Sequence, residues 1–175
     1  MRPMKAKTVL VVAVLTFALF LKAADPILPD PKLTPGAVFT NVTVEQICTP
    51  GYCNGSDVSN SGHGVRYVPR SVKWKVFKAY FGKVPDKTGN YEVDHLISLE
   101  LGGSNDPKNL WPESYLTTPY NARVKDRLEN RMAALVRHEL KTNGPAAATK
   151  LLKQFQHEIA TNWISVYPKY ISTTP

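Results

Sequence analysis

The chain is poor in the features that announce most other protein classes. It has only two cysteines, Cys48 and Cys53. With His63 they match no common zinc-ligand spacing, and no Cys-x-x-Cys knuckle occurs. There is no internal repeat and no heptad pattern long enough for a coiled coil. Long apolar runs are limited to Val9–Leu21, 13 residues interrupted by Thr16, too short to cross a bilayer comfortably. Acids are the minority charge, 14 Asp and Glu against 22 Lys and Arg, for a formal net charge of +8. At 175 residues the chain can build one compact domain, with little left for a second core.

The apolar run has a different use. Arg2, Lys5 and Lys7 precede it, and Leu21-Lys22-Ala23 offers small or apolar residues at its end. This is the layout of a cleaved secretory signal over residues 1–23, which implies a secreted or periplasmic protein with no stable membrane span after processing. Four of the 22 basic residues leave with the signal and none of the 14 acids do, so the mature charge falls to +4. That balance suits a polyanionic partner, and it also serves simple solubility. In an oxidising compartment Cys48 and Cys53 can form a disulfide. A bridge closing so short a loop contributes only about 2 kcal/mol in the chain-entropy picture, and its role would be to pin the Thr49-Pro50-Gly51-Tyr52 turn.

Residues 24–36 hold Pro26, Pro29, Pro31 and Pro35 and read as an extended linker or arm, leaving 37–175 as a single domain. From Ala37 to Ile47 the apolar residues Val38, Val42, Val44 and Ile47 alternate loosely with polar ones, a weak strand pattern. Asn54–Gly64 is a surface loop by composition. Between Pro69 and Gly82 the spacing of Val72, Val76, Phe77 and Tyr80 predicts an amphipathic helix, with Lys73, Lys75 and Lys78 on solvated faces. A second helix is predicted from Tyr120 or Asn121 to about Lys141, ended by Asn143-Gly144-Pro145, and a third from about Ala146 to Ile164.

Chemistry concentrates in Glu92-Val93-Asp94-His95-Leu96. It continues through Leu99-Glu100-Leu101-Gly102-Gly103-Ser104-Asn105-Asp106 to Asn109-Leu110-Trp111-Pro112-Glu113. Tyr91 and Val93 alternate with charged residues into Asp94 and His95; Leu96–Leu101 then continues in extended form to a glycine turn, with the second helix beyond. An acid beside a histidine at a strand end can hold a metal with one side chain and activate water with the other. Strand, turn, strand and helix in that order form a ββα unit.

This ordered set resembles the HNH endonuclease family and looks like a small secreted bacterial branch of it. The resemblance implies an α+β fold, with an HNH-type ββα-metal core flanked by amphipathic helices. It implies His95 as general base, Asp94 as a ligand of the divalent ion, Asn109 as the residue that pins loop to strand, and Asn121 as the helix residue completing the metal site. Asn121 stands where the family more often has His, and Asp126 or Glu129 on the same helix are alternatives. The implied activity is hydrolysis of DNA with low sequence specificity, using Mg²⁺ or another divalent ion such as Mn²⁺ and leaving 5′-phosphate and 3′-hydroxyl ends.

Arg66, Arg70, Arg123, Lys125, Arg127 and Arg131 are candidate nucleic-acid contacts, with Arg123, Arg127 and Arg131 on one helical stripe beside Asp126 and Glu129. Lys125 suits either a phosphate or an ion pair with Glu100. His63, His138 and His157 are read as ordinary structural residues, Asn105-Asp106 as a turn before Pro107, and Trp111 as a packing residue. A non-catalytic nucleic-acid-binding module on the same fold, a structural envelope protein, and RNA in place of DNA stay open, as does the oligomeric state.

Overall fold

The computed structural model describes residues 27–54 and 65–172. The signal sequence, most of the Asn54–Gly64 loop and His63 lie outside the described residues. The fold is α+β: a two-stranded antiparallel sheet, β1 (Tyr91–His95) and β2 (Leu110–Ser114), and three helices, α1 (Val44–Ile47), α2 (Arg70–Phe81) and α3 (Ala122–Tyr170). Among the described residues no helix is long and apolar enough to cross a membrane.

The helix predicted between Pro69 and Gly82 forms, and Gly82 caps it at φ 72°, a left-handed conformation that glycine adopts without steric cost. Its buried side, Val76 and Phe77, covers the sheet, where Phe77 and Phe81 pack on Tyr91 with ring centroids 6.2 and 5.2 Å away.

Three local readings are corrected. The weak strand or hairpin arm expected over 37–47 does not form: its last four residues are the short helix α1, started by the reciprocal capping box of Thr43 and Gln46, and before it only Val38 bridges, to Gly103. The second strand is β2, after Asn109, while Leu99–Leu101 is a 3₁₀ turn instead of an extended run. Pro112 argues against a strand in sequence, yet a two-stranded sheet leaves every strand an edge on which proline is tolerated. The proline-rich segment is also no free linker over its described part: buried Thr34 donates from Oγ1 to the Leu110 carbonyl at 2.9 Å, and Gly36 N–H donates to the Lys108 carbonyl at 2.9 Å.

The two predicted C-terminal helices form and follow each other directly in α3, separated at Gly144 (φ 83°, ψ −179°) where Pro145 follows, with a second non-helical residue at Asn162. The break turns the chain back on itself, so that Trp163 and Tyr167 pack against Tyr120 at ring centroid distances of 5.6 and 5.9 Å. The core lies between α3, α1 and the loop following β1, and includes Leu96, Leu101, Trp111, Leu128, Met132, Phe155, Ile159 and Trp163.

Candidate active site

The end of β1 is fixed by a neutral amide. Asn109 is buried, and its Oδ1 accepts from Ile97 N–H at 2.9 Å and Ala37 N–H at 3.3 Å. Its Nδ2 donates to the Ile97 and Ser104 carbonyls, each at 2.9 Å. Both polar ends of the amide are thereby satisfied, which a buried asparagine needs to be stabilising. Gly103 makes this approach possible: a Cβ there would lie 1.7 Å from the Ile97 carbonyl oxygen and 2.9 Å from Asn109 Nδ2.

His95 lies two residues before Ile97. Its Nε2 is 2.8 Å from Asn105 Oδ1, while Asn105 Nδ2 donates to the Val65 carbonyl at 2.8 Å. The second bond fixes which end of the Asn105 amide faces the ring, so Nε2 carries the hydrogen and Nδ1 keeps the basic lone pair. Burial holds the imidazole below its ordinary pKa, against the opposing pull of Asn105 and Asp94. The ring is therefore neutral at pH 7. Asn105, expected only as a turn residue, is its orienting partner, and the signal that could have found it is its place on the glycine turn opposite His95.

A cleft of about 240 Å³ opens beside this histidine, lined by Arg66, Tyr67, Val68, Lys73, Glu92, Val93 and His95. Arg66 was expected at nucleic acid and is brought to the histidine; Lys73, expected on a solvated face, joins it. Glu92 accepts a 2.7 Å hydrogen bond from the Tyr115 hydroxyl.

Lys125 corrects the sequence reading. It is fully buried, out of reach of a phosphate and not paired with Glu100. Its ammonium donates to Asp94 Oδ2 at 2.6 Å, to the His95 carbonyl at 2.8 Å and to Glu129 Oε1. Burial alone would raise the Asp94 carboxyl, but the adjacent ammonium outweighs it and holds Asp94 below the usual carboxylate range. For Lys125 burial works the other way, and the surrounding carboxyls overcome it, so the ammonium keeps its proton. Glu113, on β2, is buried, and its oxygens accept from no donor among the described residues. Burial pushes it well above its ordinary range, with Asp94 beside it acting in the same direction and Lys125 opposing. Burial likewise pushes Glu129 up to about 8, with Lys125 opposing.

Asn121 sits one residue before α3, where its Oδ1 accepts from Val124 N–H at 3.2 Å and its Nδ2 donates to the Thr117 carbonyl at 3.0 Å. Its amide thus serves as a helix cap. Arg123, Arg127 and Arg131 are exposed along α3; Arg123 stacks on Tyr115 (5.6 Å) and Arg127 on Tyr167 (6.0 Å), away from the cleft lining.

The donor set decides how a hard divalent ion would be held. Asp94 offers an ionised carboxylate with one oxygen not engaged by Lys125, though it is not among the residues lining the His95 cleft; Glu113 beside it is buried and held toward its protonated form, a poor ligand. No group of three or more His, Cys, Asp or Glu among the described residues forms a metal cage. Asp94 fits an ion of the Mg²⁺ kind as its single carboxylate ligand, the remaining positions being left to water or phosphate.

The expected disulfide is also corrected: Cys48 and Cys53 are free thiols that line a separate pocket of about 250 Å³ with Glu100 and Arg137. Their segment leaves α1 and enters a 3₁₀ turn at Tyr52–Asn54, closed by Tyr52 N–H on the Thr49 carbonyl at 3.1 Å, so the turn is held without a bridge. Burial raises both thiols, Cys53 to about 11, which keeps them protonated and poorly reactive. No family model, no curated protein and no solved structure matches the chain.

Proposed function

We propose that this protein is an exported, divalent-metal-dependent endonuclease of the HNH type, which hydrolyses phosphodiester bonds in DNA with low sequence specificity. The observation that carries the reading is the oriented, neutral His95, whose Nε2–H is held by Asn105 in a cleft that also bears Arg66 and Lys73.

The chemistry follows from those groups. Arg66 and Lys73 bind the anionic phosphate oxygens, which otherwise repel a nucleophile. His95 Nδ1 accepts a proton from a water molecule as that water attacks phosphorus, and the bond to the leaving sugar oxygen breaks. Asn105 and Asn109 position the ring and its strand. Asp94 would hold the divalent ion, which would supply the positive charge that stabilises the phosphorane-like transition state and the leaving oxygen. Asn121 keeps its part in capping α3 and would ligate only by sharing that oxygen.

Nicking of supercoiled plasmid by the purified protein with Mg²⁺ or Mn²⁺ tests this. His95→Ala and Asp94→Asn should each lower the rate by at least about 100-fold, the scale of a general acid–base contribution, with circular dichroism confirming the fold. Nicking that persists in both folded variants, or that survives chelation, overturns the assignment.

A second reading, a non-catalytic nucleic-acid-binding module, is favoured by one observation: Lys125 already neutralises Asp94. It predicts metal-independent binding without turnover.

A further inference from the structure

The outer wall of the cleft carries groups that hydrolysis does not use. Trp74, on α2, is 42 % exposed, whereas the other two tryptophans, Trp111 and Trp163, are fully buried. Tyr67, which lines the cleft, is also 42 % exposed. The Arg70 guanidinium lies 4.7 Å from the centroid of the Trp74 ring. Arg70, Lys73 and Trp74 are spaced i, i+3, i+4 and so share one side of the helix, and Lys73 reaches into the cleft beside His95.

The core does not explain Trp74, because α2 buries Val76 and Phe77 instead. Two exposed rings next to three cations, Arg66, Arg70 and Lys73, with Glu92 the one acid among the described residues that line the cleft, combine a stacking surface with a track for phosphates. Stacking discriminates between nucleic-acid forms. In a duplex both faces of each base are covered by its neighbours, so an exposed indole gains a contact only from an unpaired base. The cations serve either form.

We propose that Tyr67, Arg70, Lys73 and Trp74 form a docking surface for single-stranded nucleic acid. The aromatics stack on unpaired bases, and the cations lead the strand into the His95 cleft. The inference rests on the cleft being the hydrolytic site, and names single strands, or unpaired segments of duplexes, as its preferred substrate.

The test uses full-length His95→Ala protein, which does not consume the probe, and fluorescence anisotropy with a labelled 12-nucleotide oligo-dT and a mixed-sequence duplex of equal length. Single strand should bind more tightly, and its binding should change the tryptophan emission, since Trp74 is the exposed indole. Trp74→Ala should lower the ratio of single-strand to duplex affinity about tenfold, the low end of a base–aromatic stack. Trp74→Phe should keep most of the ratio, which guards against a folding defect. An unchanged ratio in Trp74→Ala, equal losses for both probes, or no binding of either probe overturns the proposal. Plasmid nicking by the wild type together with an unchanged ratio would sink the docking surface alone. A Trp74-dependent preference without nicking would sink the hydrolase reading and leave the surface standing.

Discussion

Two buried polar centres hold the end of β1, and they differ in kind. Around Asn109 everything is neutral: one amide, four hydrogen bonds, and no titratable partner. Around Lys125 everything is charged or chargeable: an ammonium, Asp94, Glu129 and, beyond Asp94, Glu113. The first fixes where His95 stands. The second fixes the charge of the acid beside it. A neutral network keeps its geometry at any pH, whereas a buried ion cluster depends on every member keeping its protonation state.

Removing the central member of each is the sharpest way to separate them. Lys125→Met should destabilise the fold by about 4 kcal/mol at pH 7, because it strands Asp94 without its counter-ion in a buried site. Urea titration checks this, and replacing Glu129 by Leu in the same background should recover part of the loss. Equal stability of Lys125→Met and wild type would mean that the cluster is not buried in solution.

Asn109→Ala should cost somewhat less, about 3 kcal/mol, since it leaves the Ile97 N–H and the Ile97 and Ser104 carbonyls without their partner. Its urea-derived loss should be the same at pH 5 and pH 8, unlike that of the lysine variant. Nicking should fall as well, because His95 is two residues from Ile97. A loss that varies with pH would show that the two centres are coupled.

The smallest effect concerns pH itself. Glu129 is raised from 4.5 to about 8 in the fold, so the native state binds more protons than the unfolded chain between those values. Its contribution is fully present below pH 4.5 and is lost as pH rises through about 8. His95 and Asp94, both lowered, act in the opposite sense and only below about pH 6.5 and 3.8. Thermal unfolding should therefore show a decline in Tm between about pH 6.5 and 8 that levels off above pH 8 and that Glu129→Gln flattens; an equal decline in both proteins would assign it elsewhere.

Much of the frame was legible because it obeys local rules. Periodicity and Gly82 marked α2 and alternation marked β1, while Asn109 as the residue that closes the loop came from the family resemblance and not from a local rule. What stayed hidden depends on partners distant in sequence. β2 contains a proline and no alternation, and becomes a strand only by pairing with β1. Lys125 reads as a phosphate contact or a partner of Glu100 until Asp94, 31 residues earlier, is brought against it. Asn121 fits a ligand position by spacing, but a residue just before a helix has its own backbone to serve. The cysteine pair obeyed a plausible local rule and still stayed unpaired.

Gly144 bears on all of this from a distance. A straight helix the length of α3, 49 residues, would be a rod of roughly 70 Å, far longer than a domain of this size. One left-handed residue folds that rod in half, so the same element supplies both Lys125 beneath the cleft and the aromatic brace at Trp163 and Tyr167 that presses on its own first turn. The two halves of the element close on each other like a clasp, through a joint that lies outside the cleft lining.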